Sequence, residues 1–246
     1  MKNKHLEHPE DTILTGDLDV LSWFQSAGRL SVKIDGAPAI VWGRCPVTGR
    51  QFVGTKSVFN KKEPKMCYSR SDIEHYYGHI PVLVEILDMC LECLPDTPYI
   101  YQGDWIGFGG ERDYTPNTLT YLFPDYTGED VIIAPHTRYE LGENGLRDAY
   151  GVPINRTELK STELVRFVQP KCRMYTGYYN AIEGRDSHFE LGNRVEFARQ
   201  IAASVEFVDK KTAAKLKKAF NKALLHHPES KLLKNNHVCT GTGRPV

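Results

Sequence analysis

From about residue 30 to residue 175 the chain alternates short apolar runs with polar breaks. The runs at 30–34, 39–42, 51–53, 99–102, 118–123, 131–134 and 164–168 are rich in β-branched and aromatic residues and are bounded by Gly, Pro, Asn or Asp, the residues that punctuate strands. This pattern predicts a mainly antiparallel sheet. Pro46-Val-Thr-Gly49 lies between two of the runs and reads as a hairpin turn, which makes 30–53 a strand pair with Lys33 near its start. Apolar positions at helical spacing predict helices at 17–27, 71–94 and 157–163. After 188 the periodicity is helical throughout, in 195–205 and again in 210–225, where Pro228 closes the helix. Gly241, Gly243 and Pro245 mark a loose tail. Together these elements predict an α+β chain in two parts: residues 1–180, antiparallel sheets with flanking helices, and residues 181–246, a small helical domain.

Composition narrows the class only a little. With 41% hydrophobic and 25% charged residues the chain has ordinary globular usage, and no apolar run nears the roughly 18–20 residues that span a bilayer. The first ten residues lack the apolar core of a secretory signal, so a cytoplasmic, reducing location is expected. Cys90 and Cys93 form a CxxC, but they sit within helical apolar spacing with no second pair to complete a metal site, and helix-face packing is the better reading. His5, Glu7, His8, Glu10 and Asp11 suit a helix lead-in better than a metal site.

Charge matters through its distribution. The chain carries 31 basic and 31 acidic residues, a balance that neither suggests nor excludes a nucleic-acid partner. Lys211, Lys215, Lys218 and Lys222 follow spacings of four, three and four, which aligns them on one helix face, with Ala214, Leu216 and Phe220 left for apolar contacts elsewhere. Such a row can track a phosphate backbone; the alternative is a solvated helix face.

The most informative string is Ser31-Val-Lys-Ile-Asp-Gly-Ala-Pro-Ala-Ile-Val41. In an extended segment Lys33 and Asp35 share a face, so an amine and a carboxylate can converge on one ligand while Ile34 points into the core. Gly36 lets the backbone approach closely. A neutral lysine amine attacks phosphorus, provided that its surroundings depress its pKa by burial or neighbouring cations. The bland alternatives are an exposed strand lysine and an Asp-Gly turn. A Lys-x-Asp-Gly arises by chance in about one chain of this length in twenty, so it needs companions. Lys56, two residues after Gly54, and Asp104, directly after Gly103, each stand at an expected strand end, where functional residues project, although surface charges also suit such positions. His136 and Arg138 follow a buried-type strand; a satisfied structural histidine is the plainer reading there.

With these companions the sequence resembles the covalent nucleotidyltransferase superfamily of DNA ligases, RNA ligases and mRNA capping enzymes, whose first motif is Lys-x-Asp-Gly. Phe52-Val-Gly-Thr-Lys-Ser57 is similar to the basic motif after the first hairpin, and Tyr99-Ile-Tyr-Gln-Gly-Asp-Trp-Ile-Gly107 to the hydrophobic-Gly-Glu-hydrophobic motif, with Asp104 in place of Glu. Thr118-Leu-Thr-Tyr-Leu-Phe-Pro-Asp125 is similar to the next strand, whose aromatic residue packs on the base in relatives. The final Lys-x-Lys strand is represented at best by Val168-Gln-Pro-Lys-Cys172, and the Glu-Gly-hydrophobic-hydrophobic-hydrophobic-Lys string is missing. Five strings, among them Gly54-Thr-Lys-Ser-Val-Phe-Asn60 and Pro116-Asn-Thr-Leu-Thr-Tyr121, also resemble a ligase-like family of tailed phages over roughly residues 5–140.

The resemblance implies an ATP-dependent polynucleotide ligase working through lysyl-AMP on Lys33. It assigns Asp35, Gly36, Lys56, Asp104 and Lys171 to nucleotide binding, with Mg²⁺ near Asp104. It also implies a phage origin, and RNA as the preferred strand, since no oligonucleotide-binding barrel has room here. Transfer to a cap or a protein, and a binding protein of the same fold without transfer chemistry, stand as alternatives.

Overall fold

The computed structural model describes residues 12–25, 29–31, 33–117, 120–155, 158–168, 173–175, 187–226 and 237–239. In chain order the elements are α1 (Asp19–Gln25), β1 (Arg29–Ser31), β2 (Ala39–Arg44), β3 (Gln51–Gly54), a 3₁₀ turn (Lys56–Phe59), α2 (Arg70–Tyr77), α3 (Pro81–Cys93), β4 (Ile100–Phe108), β5 (Asp113–Tyr114) and β6 (Thr120–Leu122). They continue with β7 (Val131–Gly142), β8 (Gly145–Pro153), β9 (Val165–Phe167), β10 (Arg173–Tyr175), α4 (Ser187–Ala203), α5 (Lys210–His226) and β11 (His237–Cys239). The class is α+β. The chain forms two compact units, one from 33–170 with 1–6 and 233–246, the other from 7–32 with 171–232.

The first unit is built on a six-stranded sheet in the order β3-β2-β4-β7-β8, with β9 on β7. All its pairings are antiparallel except β7 with β9. The hairpin from β2 to β3 closes where the sequence predicts: Gly49 takes φ +70°, and the Cys45 and Gly49 N–H groups bond to Arg50 and Cys45 carbonyls. Side chains alternate across the sheet. Ile40, Trp42, Val53, Tyr101, Trp105, Val131 and Ile133 form one core with Ile73, Val84, Leu87, Cys90 and Cys93 of α2 and α3. The opposite alternation carries two further clusters, one around Val41, Phe52, Ile100 and Tyr139, the other around Ile34, Ile106, Tyr121, Ile132 and Ala134. Cys90 and Cys93 are free thiols buried in the helix-facing core, as the periodicity indicates. A three-stranded sheet, β11-β6-β5, completes this unit, with β11 parallel to β6.

Several elements depart from the sequence pattern. The helix predicted for 71–94 is two helices, because Gly78 ends α2 and Pro81 starts α3 at its first turn. Residues 158–163 form no helix; the Ser161 and Thr162 side chains accept backbone N–H groups of Phe167, Leu164 and Val165 instead, the local competition that disfavours helix. The strand predicted at 30–34 ends at Ser31, and Lys33 lies in an irregular segment before β2 rather than inside the first hairpin. Strand β8 has no counterpart in the sequence pattern.

The described elements of the second unit are α1, α4, α5 and the β1–β10 pair. In it Arg199 of α4 donates to the Ser22 hydroxyl of α1 at 2.7 Å. The Asp209 carboxylate caps α5 by accepting the N–H groups of Lys211 and Thr212. In α5 Ala213 is buried, at 4% exposure, whereas Leu216 and Phe220 are 56% and 64% exposed. Leu216, Phe220 and exposed Ala214 therefore do not bury against the described residues as the sequence predicts. No helix among the described residues is long and apolar enough to cross a membrane.

Candidate active site

The segment 33–38 is laid along β4. The Ala37 N–H donates to the Trp105 carbonyl at 3.1 Å, and the Trp105 N–H donates to the Pro38 carbonyl at 2.9 Å. Gly36 is required by this approach, because a Cβ at that position would collide with the Trp105 carbonyl oxygen. The glycine thus admits the β4 backbone. Ile34 is buried, as the alternation predicts.

Tyr121 of β6 fixes the other side of the segment. Its hydroxyl accepts the Asp35 N–H and donates to the Asp35 carbonyl, both at 2.8 Å. Burial raises the pKa of this hydroxyl and keeps it a donor. The two aromatic side chains of the 118–125 string, Tyr121 and Phe123, are 1% and 3% exposed. Neither offers the open ring face for a base that the resemblance implies.

Three of the expected residues meet. Lys33 Nζ donates to Asp104 Oδ2 at 2.5 Å and to Asp35 Oδ1 at 2.8 Å. The Asn117 amide donates to the second Asp35 oxygen at 2.6 Å. Asp104 stands in mid-strand on β4 with its side chain 8% exposed, not at a strand end on the surface. Along β4 it shares its face with Gln102, between Ile100 and Ile106 of the two apolar clusters. Gln102 itself accepts the Tyr139 hydroxyl at 2.7 Å. The other Asp104 oxygen, Oδ1, lies 3.3 Å from His136 Nε2, and His136 Nδ1 lies 2.7 Å from the Thr137 hydroxyl.

The neighbouring charges favour the ammonium form of Lys33. Burial pulls its pKa down, but hydrogen bonds and charge from Asp104 and then Asp35 outweigh burial, and the net shift is upward from the ordinary 10.5. This is opposite to the depression that a waiting nucleophile needs: of the two means of depression expected, burial is present but is outweighed by the two carboxylates beside Lys33. Asp104 is shifted down from 3.8, since His136 and Lys33 together overcome the desolvation that favours its neutral form.

The remaining expectations lie apart. Lys56 opens the 3₁₀ turn after β3, is exposed, and makes no hydrogen bond or ion pair with the Lys33 group. Lys171 lies outside the described residues, as do His5, Glu7, His8, Glu10 and Asp11. Arg138 pairs with Glu140 and Glu158 rather than joining His136. Lys211, Lys215, Lys218 and Lys222 are all exposed on α5 in the other unit. Among the described residues no group of three or more His, Cys, Asp or Glu side chains could hold a metal ion. Asn117 and Tyr121 fall within strings that carry the resemblance, yet no local pattern ties either to Asp35.

The site is thus a lysine ammonium held between two carboxylates on an α+β scaffold. The chain belongs to the Family of unknown function (DUF6267), which matches residues 3–238. No curated protein and no solved structure matches it.

Proposed function

We propose that this chain is an ATP-dependent nucleotidyltransferase with a ligase-like fold, forming lysyl-AMP at Lys33 and passing the nucleotide to an RNA end. One observation carries the reading: the Lys-x-Asp-Gly lysine reaches across from its own segment to a buried carboxylate, Asp104, 71 residues away. An exposed strand lysine would have no such partner. In the transfer the Lys33 nitrogen bonds to the α-phosphorus of ATP as the bond to the bridging oxygen breaks, and pyrophosphate leaves. The ammonium must first give up a proton, which leaves to solvent water, before the amine can attack.

Mg²⁺ fits this chemistry. It is commonly held by one or two carboxylates together with substrate phosphates, and Asp35 and Asp104 are two such carboxylates. It would supply neutralising charge to the triphosphate. The proposed RNA contact is the exposed lysine row of α5.

The test is incubation with α-labelled ATP and Mg²⁺, then denaturing electrophoresis. The wild type is expected to retain label and Lys33→Ala to lose it; label that persists in the variant removes Lys33 from the role. The upward-shifted ammonium favours a second reading, a nucleotide-binding protein that does not transfer. It is supported if the wild type stays unlabelled while ATP raises its melting temperature.

A further inference from the structure

The β4–β7 ladder pairs Gln102 with Thr137 and Gly103 with Pro135, so His136 is an extra residue without a partner across the ladder. Such bulges re-aim side chains and change which residues share a face. Here Ile132 and Ala134 precede the bulge and Tyr139 follows it, yet all three belong to clusters on the Asp104 side of β4. The inserted residue turns toward Asp104. A carboxylate only accepts hydrogen bonds, so His136 Nε2 must carry the proton in that contact, and in the neutral ring Nδ1 then accepts from Thr137. The His136 side chain is 18% exposed, and Thr137 is buried. One Asp104 oxygen therefore faces Lys33 and the other faces His136.

We propose that His136 is a positioning residue for the lysine–carboxylate pair: it occupies one oxygen of Asp104 so that the carboxylate engages Lys33 through the other alone. The proposal rests on reading Lys33 as the nucleophile. Without His136 the carboxylate has both oxygens and its full charge for the ammonium. The amine is then gripped more tightly and reaches phosphorus less often. Nucleotide binding is not the step affected.

Two readouts test this. In the labelling assay His136→Ala is expected to lower the maximal rate about ten- to a hundredfold, with the ATP concentration for half-maximal labelling unchanged. His136→Gln, whose amide can stand where Nε2 does, restores the rate. The second readout needs no transfer activity: acetic anhydride acylates exposed lysines, and peptide mass spectrometry ranks Lys33 against the others. Its relative acylation should fall severalfold in His136→Ala and recover in His136→Gln. If the Ala variant does not fold, His136→Asn takes its place, since its shorter amide stays beside Thr137 but falls short of Asp104. Relative Lys33 acylation that is unchanged, or altered equally by Ala and Gln, overturns the proposal and leaves His136 as packing. Absence of label in every protein, wild type included, defeats the nucleotidyl-transfer reading, while the acylation comparison still decides the role of His136.

Discussion

At the scale of single residues, the Lys33–Asp104 pair ties reactivity to pH. Asp104 is the first of the groups that raise the Lys33 pKa, and burial acts against it. Asp104→Asn removes the raising charge and leaves the burial, so the neutral amine should form at lower pH. We expect the pH at which labelling is half-maximal to move down in Asp104→Asn, even where the maximal rate falls. An unshifted profile would separate Asp104 from the amine. The same carboxylate affects stability with the opposite sense: its folded pKa lies below 3.8, so its contribution is present above 3.8 and is lost as pH falls through the depressed value. Acid melts should therefore cost the wild type more stability than Asp104→Asn. Of this site, Lys33 and Asp35 were legible because two residues on one extended face declare themselves by spacing. Asp104 was legible in identity but not in setting, since nothing in Gln102-Gly-Asp104 reveals that β4 runs on to Phe108 and buries it. The His136–Asp104 contact depends on a register slip, which no local pattern announces.

At the scale of elements, the segment 33–38 and β4 form one backbone-level fit, and Gly36 is where it is tightest. Gly36→Ala should push the segment off Trp105, at a cost of about 1–3 kcal/mol in unfolding free energy, the usual range for overpacking. Labelling should fall with it. An Ala variant as stable and as active as wild type, measured by denaturant unfolding and label incorporation, would show that the segment sits farther from β4. The strands legible in the sequence were those with dense β-branched and aromatic runs. The edge strand β8 was not: Gly145, Gly151 and Pro153 and an exposed Tyr150 dilute its apolar signal, as an edge permits. The split between α2 and α3 could have been drawn from Gly78 and Pro81, which the shared apolar spacing obscured.

At the scale of the whole molecule, the proposed nucleotide chemistry at Lys33 and the proposed nucleic-acid contact on α5 belong to different units. Replacing Lys211, Lys215, Lys218 and Lys222 by Gln should weaken RNA binding and flatten its salt dependence, by roughly 0.7 in slope for each single-strand phosphate that is no longer neutralised. Labelling at Lys33 should be unaffected. Equal RNA affinity at low salt in the quadruple variant would leave the row as a solvated face. The division between units also bears on how the protein is made. Residues 7–32 belong with 171–232, and 233–246 belong with 33–170, so each unit is assembled from stretches far apart in the chain. At roughly 5–20 residues per second, helix α1 leaves the ribosome on the order of ten seconds before α4, the helix whose Arg199 binds its Ser22. During translation the earliest segment has no folded partner to join, and β6 likewise waits for β11, though over a shorter stretch of chain. A ribosome stalled before α4 should therefore hold a nascent chain in which α1 is open to protease.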